Sequence, residues 1–325
     1  GVMSTEKTSF SESSRLLLES LTLNTSSLNR GRAYGIYMGN TALSNSSLHA
    51  KKCTITTIAT VKSFATAHLM YVVSSTTMTE STFFFEELTA VVQGVPNAIG
   101  IDFVGSAIVE NDSALIVLNS NLFLTSSRSD GIRFYDAKVS NSRVIFEQLD
   151  VHVVSSRTGT RVLLLNPFDT GRNEFKNNVV MWTGGTIYGM PGDGYSITGL
   201  VMQELDVSNT TILFQDTTWH LGRLSASGLG SFCELTSSSA TENFIDSSFD
   251  VLNTTINIFS KNARARLLYT NMLVWIGSRL NFVGGAYNVT GGQHAAGFLK
   301  AKSANNLVLT FENQSKVVIT ACKCG

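Results

Sequence analysis

Proline, cysteine and charge are all scarce in this chain of 325 residues. Proline occurs only at Pro96, Pro167 and Pro191, which suits a fold in which nearly every backbone N–H donates a hydrogen bond to a neighbouring strand. Charged residues are 15% of the chain and the formal net charge is zero, so the sequence lacks the basic surface that attracts phosphate backbones. We therefore expect no nucleic-acid partner.

Long apolar runs and metal-binding motifs are also missing. No apolar stretch reaches the ~18 residues that a membrane-spanning helix needs, so we expect no membrane span in this segment. The start at Gly1 has no secretory leader, which favours a segment cut from a longer chain. The histidines lack metal-binding spacing and are typical of solvated or core-edge positions: His49, His68, His152, His220 and His294. We expect neither a metal nor a cofactor.

The four cysteines form an even set, which is consistent with an oxidising compartment but too sparse for a disulfide scaffold: Cys53, Cys233, Cys322 and Cys324. The last two lack the second cysteine pair or nearby histidine that a zinc site would need. One interpretation is a disulfide to a neighbouring coil or to sequence beyond Gly325. Free buried thiols are the alternative.

An asparagine recurs along the chain, followed three and five residues later by apolar side chains. It occurs at Asn45, Asn111, Asn141, Asn177, Asn209 and Asn253, and the same phase continues without asparagine at Glu80, Gly277 and Ala304. The starts are about 32 residues apart on average, within the range of periods that is typical of solenoids. Short alternating runs of β-branched and aromatic residues lie between them, and helical periodicity is nearly absent.

The pattern predicts an all-β fold, a single-stranded right-handed parallel β-helix of about nine to ten coils with about three short strands per coil. Residues 1–325 would form one domain as part of a longer chain or assembly, with residues 1–22 as an irregular or incomplete first coil. The recurring asparagines would stack as a turn ladder of side-chain amides. Trp182 is expected in the core, whereas Trp219 and Trp275 are either core residues or, with Tyr188 and Tyr195, a sugar-stacking platform.

Acceptor triplets for N-glycosylation occur at Asn24, Asn45, Asn111, Asn209, Asn253, Asn288 and Asn313. They predict an extracellular or cell-surface protein. Chance triplets in a chain rich in serine, threonine and asparagine are the alternative, and a turn role would explain the shared positions equally well.

Catalytic candidates are few. Asp130, Asp136, Asp150, Asp169 and Asp193, with Arg133 and Arg172, are the groups that a carboxylate mechanism would draw on, and Asp130 and Asp193 are spaced to share one face. The Asp130-Gly131 and Asp193-Gly194 pairs are also typical of turns, which is the favoured interpretation. We therefore assign no catalytic residue and keep Asp130, Asp193, Asp169 and Arg172 as candidates only.

The segments VSNTTILF (residues 207–214) and VSNSRVIF (residues 139–146) resemble the repeats of pectin-lyase-like right-handed parallel β-helices. Many proteins of that architecture cut polysaccharides, but none of the Asn-Thr-Asp, Asp-Asp, Gly-His-Gly or Arg-Ile-Lys signatures of polygalacturonase-like enzymes occurs. The segment NNLVLTFEN (residues 305–313), with the hydroxyl-rich composition, also looks like the dispersed-gene-family surface proteins of kinetoplastid protists. That second resemblance implies a surface glycoprotein with adhesive or structural work.

These observations favour a non-enzymatic extracellular structural or adhesive module, with self-association through the β-helix ends into a filament or surface layer. Two alternatives stay open. One is a polysaccharide-degrading enzyme, either a lyase or a glycoside hydrolase. The other is a module that binds a carbohydrate or cell-surface ligand without cleaving it.

Overall fold

Parallel strands wind through the chain in successive coils in the computed structural model. The structure describes residues 3–6, 8–11, 13–27, 31–60, 65–73, 75–166, 173–203, 205–222, 228–236, 242–260, 263–271, 273–291, 303–305, 308–312 and 315–321. No helix in these ranges is long and apolar enough to cross a membrane.

The strands of the first coils are β1 (Met3–Glu6), β2 (Ser9–Phe10), β3 (Arg15–Glu19), β4 (Thr22–Ser27), β5 (Ala33–Gly39), β6 (Ala42–Ser44), β7 (Ser47–Lys51), β8 (Thr54–Ala59), β9 (Thr66–Val73), β10 (Thr77–Thr79), β11 (Thr82–Glu86), β12 (Thr89–Glu110), β13 (Ala114–Ser140) and β14 (Arg143–Ser155). The later strands are β15 (Thr160–Asn166), β16 (Asn173–Lys176), β17 (Val179–Thr183), β18 (Thr186–Met190), β19 (Ile197–Gln203), β20 (Leu205–Ser208), β21 (Thr211–Gln215), β22 (Thr218–Gly222), β23 (Gly230–Thr236), β24 (Glu242–Ile245), β25 (Ser248–Leu252), β26 (Thr255–Phe259), β27 (Ala265–Asn271), β28 (Leu273–Ile276), β29 (Arg279–Val283), β30 (Ala286–Gly291), β31 (Ser303–Asn305), β32 (Val308–Glu312) and β33 (Lys316–Ala321).

Four strand segments per coil stack into four parallel ladders. Ladder 1 contains β3, β7, β11, residues 114–118 of β13, residues 143–147 of β14, β17, β21, β25, β29 and β32. Ladder 2 runs from β4 and β8 through β12, β13, β14, β18, β22, β26 and β30 to β33. Ladder 3 contains β1, β5, β9, residues 97–104 of β12, residues 128–135 of β13, β15, β19, β23 and β27. Ladder 4 contains the short strands, from β2 and β6 to β28 and β31.

The predicted all-β parallel β-helix is confirmed, and the number of coils is close to the prediction. In ladder 1, nine parallel pairings join ten successive segments. The expectation of three strands per coil is wrong, because the described part of each coil adds the short segment of ladder 4. Two to four residues of regular pairing are too brief to show as an alternating run in sequence.

The core is a set of vertical apolar columns. In ladder 1, one column consists of side chains that are at most 3% exposed: Leu48, Phe83, Leu115, Val144, Val180, Ile212, Phe249 and Leu280. One coil has no second layer to cover its apolar side chains, so each coil is stabilised by the coils on either side. Trp182, Trp219 and Trp275 are fully buried, which rules out the sugar-stacking alternative for Trp219 and Trp275.

A left-handed backbone conformation explains the recurring asparagine. Asn45, Asn141, Asn177 and Asn209 each have φ between 46° and 55° at the turn before ladder 1. Asparagine tolerates this region better than most residues with a side chain. The amides also stack, since Asn177 Nδ2 donates to Asn141 Oδ1 at 2.7 Å and Asn209 Nδ2 donates to Asn177 Oδ1 at 2.8 Å.

Two members of the predicted turn ladder were placed wrongly. Arg143 pairs with Ala114, so Asp112 takes the ladder position and Asn111 is an extra residue before it. Ser248 pairs with Thr211, so Asp246 lies below Asn209, and Asn253 belongs to the next turn of the same coil. Two causes explain both corrections: aspartate shares the tolerance of asparagine for positive φ, and the coils differ in length.

Replacing the central amide of this stack should destabilise the protein. Asn177→Ala removes two amide hydrogen bonds and leaves an alanine at φ 55°, so we expect the free energy of unfolding to fall by about 2 kcal/mol. Asn177→Gly removes the same bonds but tolerates the backbone, and should cost about half as much. Denaturant unfolding of both variants tests this, and equal losses would contradict the contribution of the left-handed turn.

The described coils at each end have partly exposed apolar side chains, among them Leu17 at one end and Val308 and Phe311 at the other. Strands β1–β4 pair in register with β5–β8. The domain bounds and the self-association through the ends stay predictions.

Candidate functional site

Ladder 3 carries polar and charged residues in two adjacent columns. One column is Tyr34, His68, Ile99, Asp130, Arg161, Thr198, Ser231 and Arg266, and the other is Tyr37, Tyr71, Asp102, Arg133, Leu164, Val201, Glu234 and Tyr269. The residues between them, such as Met70, Ile132 and Leu200, belong to the hydrophobic core, whereas even the buried Leu164 and Val201 of the second column lie outside it. We call these two columns the charged groove.

Glycines allow the backbones of this ladder to approach closely. A Cβ on Gly100 would lie 2.3 Å from the carbonyl oxygen of Gly131, and a Cβ on Gly131 would lie 2.4 Å from that of Val162. Asp130-Gly131 is therefore part of strand β13, and its interpretation as a turn was wrong. Asp193-Gly194 does lie in a turn, with Gly194 at φ 81°.

Asp102 is the most enclosed charge of the groove. Its carboxylate is inaccessible to solvent and accepts two hydrogen bonds of 2.7 Å from Nε and Nη2 of Arg133, one coil further along. Burial opposes ionisation of Asp102, but His68 and Arg133 outweigh burial and hold its pKa below the ordinary value. The bidentate pair therefore fixes the guanidinium of Arg133 in one orientation.

Asp130 repeats this arrangement in the next register. It accepts hydrogen bonds from Nε and Nη2 of Arg161 at 2.8 and 3.0 Å, and Nη1 of Arg133 lies 3.8 Å from its Oδ2. Arg128 Nε lies 3.9 Å from the same oxygen. Asp102 and Asp130 thus support arginines on successive coils.

His68 is buried beside Asp102. Its Nδ1 lies 3.3 Å from Asp102 Oδ2, and its Nε2 lies 3.0 Å from Thr66 Oγ1. Burial lowers the pKa of His68 although the Asp102 carboxylate acts in the opposite direction, so the imidazole is neutral at pH 7. The sequence interpretation as a core-edge histidine fits this burial but missed the contact with Asp102.

Tyrosines close one end of the groove. Tyr34 and Tyr71 stack with ring centroids 5.1 Å apart, and Tyr37 packs on both at 5.1 and 6.0 Å. Arg32 donates a hydrogen bond of 3.1 Å from Nη1 to the Tyr71 hydroxyl. Burial raises the pKa of Tyr71, so that hydroxyl is protonated at neutral pH.

A cavity of about 110 Å³ opens between these groups. It is lined by Arg32, Thr66, His68, Tyr71, Asn97, Ile99, Arg128, Asp130 and Arg133. Three guanidinium groups line this cavity, those of Arg32, Arg128 and Arg133, and that of Arg161 lies beside it. Among the residues that the structure describes, the carboxylates within 4 Å of these four groups are those of Asp102 and Asp130. Because His68 is neutral, the cavity has an excess of two positive charges in a chain whose net charge is zero.

The structure separates the predicted catalytic candidates. Asp130 is buried in the charged groove, whereas Asp193 lies in the exposed loop between β18 and β19. Asp169 and Arg172 lie outside the described residues. No group of three or more histidine, cysteine or acidic side chains in the described ranges is arranged to hold a metal ion.

Most of the residues predicted for glycosylation and disulfide formation lie in the described part of the chain. Asn24, Asn45, Asn111, Asn209 and Asn253 are exposed, whereas Asn288 is half-buried and its Nδ2 donates a 2.8 Å hydrogen bond to Asn257 Oδ1. Cys53 and Cys233 are free buried thiols. Asn313, Cys322 and Cys324 lie outside the described residues. Glycosylation at these asparagines stays a prediction.

The neutral His68 makes stability dependent on pH. Its folded pKa lies below the ordinary 6.5, so the unfolded chain binds more protons and stability falls as pH drops below about 6.5. The lowered pKa of Asp102 adds a second loss in the same direction, which begins only below its ordinary 3.8. Unfolding measured between pH 7.5 and 5 should show this decline, and His68→Gln should reduce it, leaving the contributions of the less buried His49 and His220, whose pKa values burial also lowers. An unchanged slope in that variant would contradict the assignment to His68.

The fold and the groove define a parallel β-helix with an arginine-rich cavity on one ladder. No protein-family model and no curated protein matches the sequence. Among solved structures, the A-module of mannuronan C-5 epimerase AlgE6 from Azotobacter vinelandii matches at 12% identity with a TM-score of 0.25, over 96% of this chain and 91% of that one. Similarity at this level carries no argument about activity, and the resemblance to kinetoplastid surface proteins gains no support from the comparisons.

Proposed function

We propose that this chain is an extracellular adhesive β-helix module that binds an acidic polysaccharide in the charged groove. The observation that carries the proposal is the cavity with its excess of two positive charges, in which the buried Asp102 holds the guanidinium of Arg133 in place and, beside it, the buried Asp130 holds that of Arg161. Arginines fixed in this way bind planar anions such as carboxylates with little loss of side-chain entropy.

The shape of the groove supports a polymer as the ligand. The two columns run along the stack, and successive coils are about 4.8 Å apart. A polysaccharide lying along the stack therefore meets a new coil at each step of roughly one sugar unit. The external location proposed here follows the glycosylation triplets and the hydroxyl-rich composition.

Titration calorimetry with an oligouronate and its carboxyl-reduced, neutral counterpart tests this function. We expect the acidic form to bind and the neutral form to bind at least ten times more weakly, with affinity falling as salt rises. Arg32→Gln and Arg128→Gln should each weaken binding about tenfold, because each removes one cavity charge.

Arg279→Gln is the matched control, since it makes the same charge change on ladder 1 at a side chain that is 61% exposed. Equal binding of the acidic and neutral forms, or an equal loss in the control, would contradict the proposal.

A uronate lyase is the second candidate, because His68 and Tyr71 place two proton-transfer groups in the same cavity as the arginines. A glycoside hydrolase is disfavoured on physical grounds. That reaction needs one protonated carboxyl group, and Asp102 and Asp130 are both paired bidentately with arginine. Formation of an unsaturated, ultraviolet-absorbing product from the oligouronate would support the lyase, and binding without turnover would support the adhesive module.

A further inference from the structure

A second cavity continues the charged groove. It has a volume of about 340 Å³, and half of its lining residues carry hydroxyl or amide side chains: Thr158, Thr160, Ser196, Thr198 and Gln203. The charged residues of its wall are Arg128 and Arg161, whose guanidinium groups already face Asp130, and Glu234. Arg128 lines both cavities, so the two are adjacent along ladder 3. A ligand long enough to extend beyond the first cavity would enter the second.

Glu234 is the acidic residue of the second cavity, and its carboxylate differs from those of Asp102 and Asp130. It forms no ion pair within 4 Å among the residues that the structure describes, whereas each of those aspartates is within 3 Å of an arginine. The guanidinium of Arg266, in the next coil, lies 4.0 Å above the ring of Tyr269. Burial raises the pKa of Glu234, against the smaller opposing effects of the Ser231 hydroxyl and of the charge of Arg266.

The register fixes how far Glu234 lies from the arginine cavity. Arg133 pairs with Leu164, Leu164 with Val201, and Val201 with Glu234, which is a separation of three coils. Three coils correspond to about 14 Å along the stack. An oligosaccharide anchored by one carboxylate in the first cavity therefore places its later units beside Glu234.

We infer that the second cavity is a subsite for an uncharged, hydroxyl-bearing sugar, and that Glu234 excludes a second carboxylate there. Hydroxyl groups of a neutral sugar would donate hydrogen bonds to Glu234 and to the threonine and serine oxygens. A uronate at the same place would bring a second carboxylate beside that of Glu234, which has no ion pair within 4 Å among the described residues, and like charges held close together in a partly enclosed site repel each other. This inference rests on the proposed function. The ligand would then be a heteropolysaccharide in which acidic and neutral sugars alternate.

Calorimetry with two probes of equal length tests this selectivity. One probe is a hexasaccharide that alternates glucuronate and N-acetylhexosamine, and the other is a homo-oligogalacturonate. The unmodified protein should bind the alternating probe at least ten times more tightly. Glu234→Gln keeps the shape but removes the charge, so it should strengthen binding of the homo-oligomer about tenfold and remove most of the preference.

Glu147→Gln is the control, because it makes the same change at an exposed residue of ladder 1. Equal affinity for the two probes, or a preference that Glu234→Gln leaves unchanged, would overturn the subsite while leaving the proposed function standing. If neither probe binds, or Arg128→Gln has no effect on either, the proposed function fails and the subsite fails with it.

Discussion

Asp102→Ala should lower the free energy of unfolding by about 3–5 kcal/mol, because it leaves the guanidinium of Arg133 largely buried without its bidentate partner. The same change removes the carboxylate beside the buried His68. Since Arg133 loses its fixed orientation, binding of an oligouronate should weaken as well. Denaturant unfolding and calorimetry on the same preparation measure both effects.

Two comparisons make the Asp102 result interpretable. Glu147→Ala removes an exposed carboxylate from ladder 1 and should change stability by less than about 0.5 kcal/mol. The double variant Asp102→Leu with Arg133→Met replaces the pair by apolar side chains and should recover much of the lost stability without recovering binding. A loss below about 1 kcal/mol for Asp102→Ala would show that Arg133 is solvated rather than held.

Trp219→Ala should have an effect of similar size, about 3–5 kcal/mol. The indole is fully buried, its Nε1 donates a 2.9 Å hydrogen bond to Thr217 Oγ1, and its ring packs edge-on against Phe214 and Phe232 at 5.4 and 5.1 Å. Its removal leaves a large void in the middle of the stack, where coils on both sides depend on it.

Thermal and denaturant unfolding of Trp219→Ala and Trp219→Phe test this. The phenylalanine variant keeps an aromatic ring, so its loss of stability should be less than half of the loss in Trp219→Ala. If the two variants are equally stable, packing around Trp219 contributes less than the structure implies.

The fold was accessible from sequence because two strong local signals coincide. The apolar side chains at positions such as Val144 and Ile212 recur with the coil period, and the left-handed turn before them selects asparagine. Where aspartate fills the turn, as at Asp112 and Asp246, the asparagine signal points to the wrong residue. Coil lengths also vary: for example, 31 residues separate Asp130 from Arg161, whereas 37 separate Arg161 from Thr198. The pairing register of successive coils could therefore be read only from the structure.

The charged groove was only partly accessible. Asp130 and Arg133 were recognised as candidates, but Asp130 was grouped with Asp193, whereas its partners are arginines. A usable signal existed, since residues 99–103 (IGIDF) align with residues 130–134 (DGIRF) and place Asp102 opposite Arg133. His68 and Glu234 carry no comparable signal, because their roles arise from burial and from neighbours that are distant in sequence.

The central claim is that the charged groove binds an acidic glycan, and hydrogen exchange measured with and without an oligouronate tests it most directly. We predict slower exchange confined to residues 31–39, β9, residues 97–104 of β12, residues 128–135 of β13 and β15, which contain the residues that line the cavity and Arg161 beside it. Protection that appears on ladders 1 and 2, or none at a saturating concentration of oligouronate, would contradict the claim.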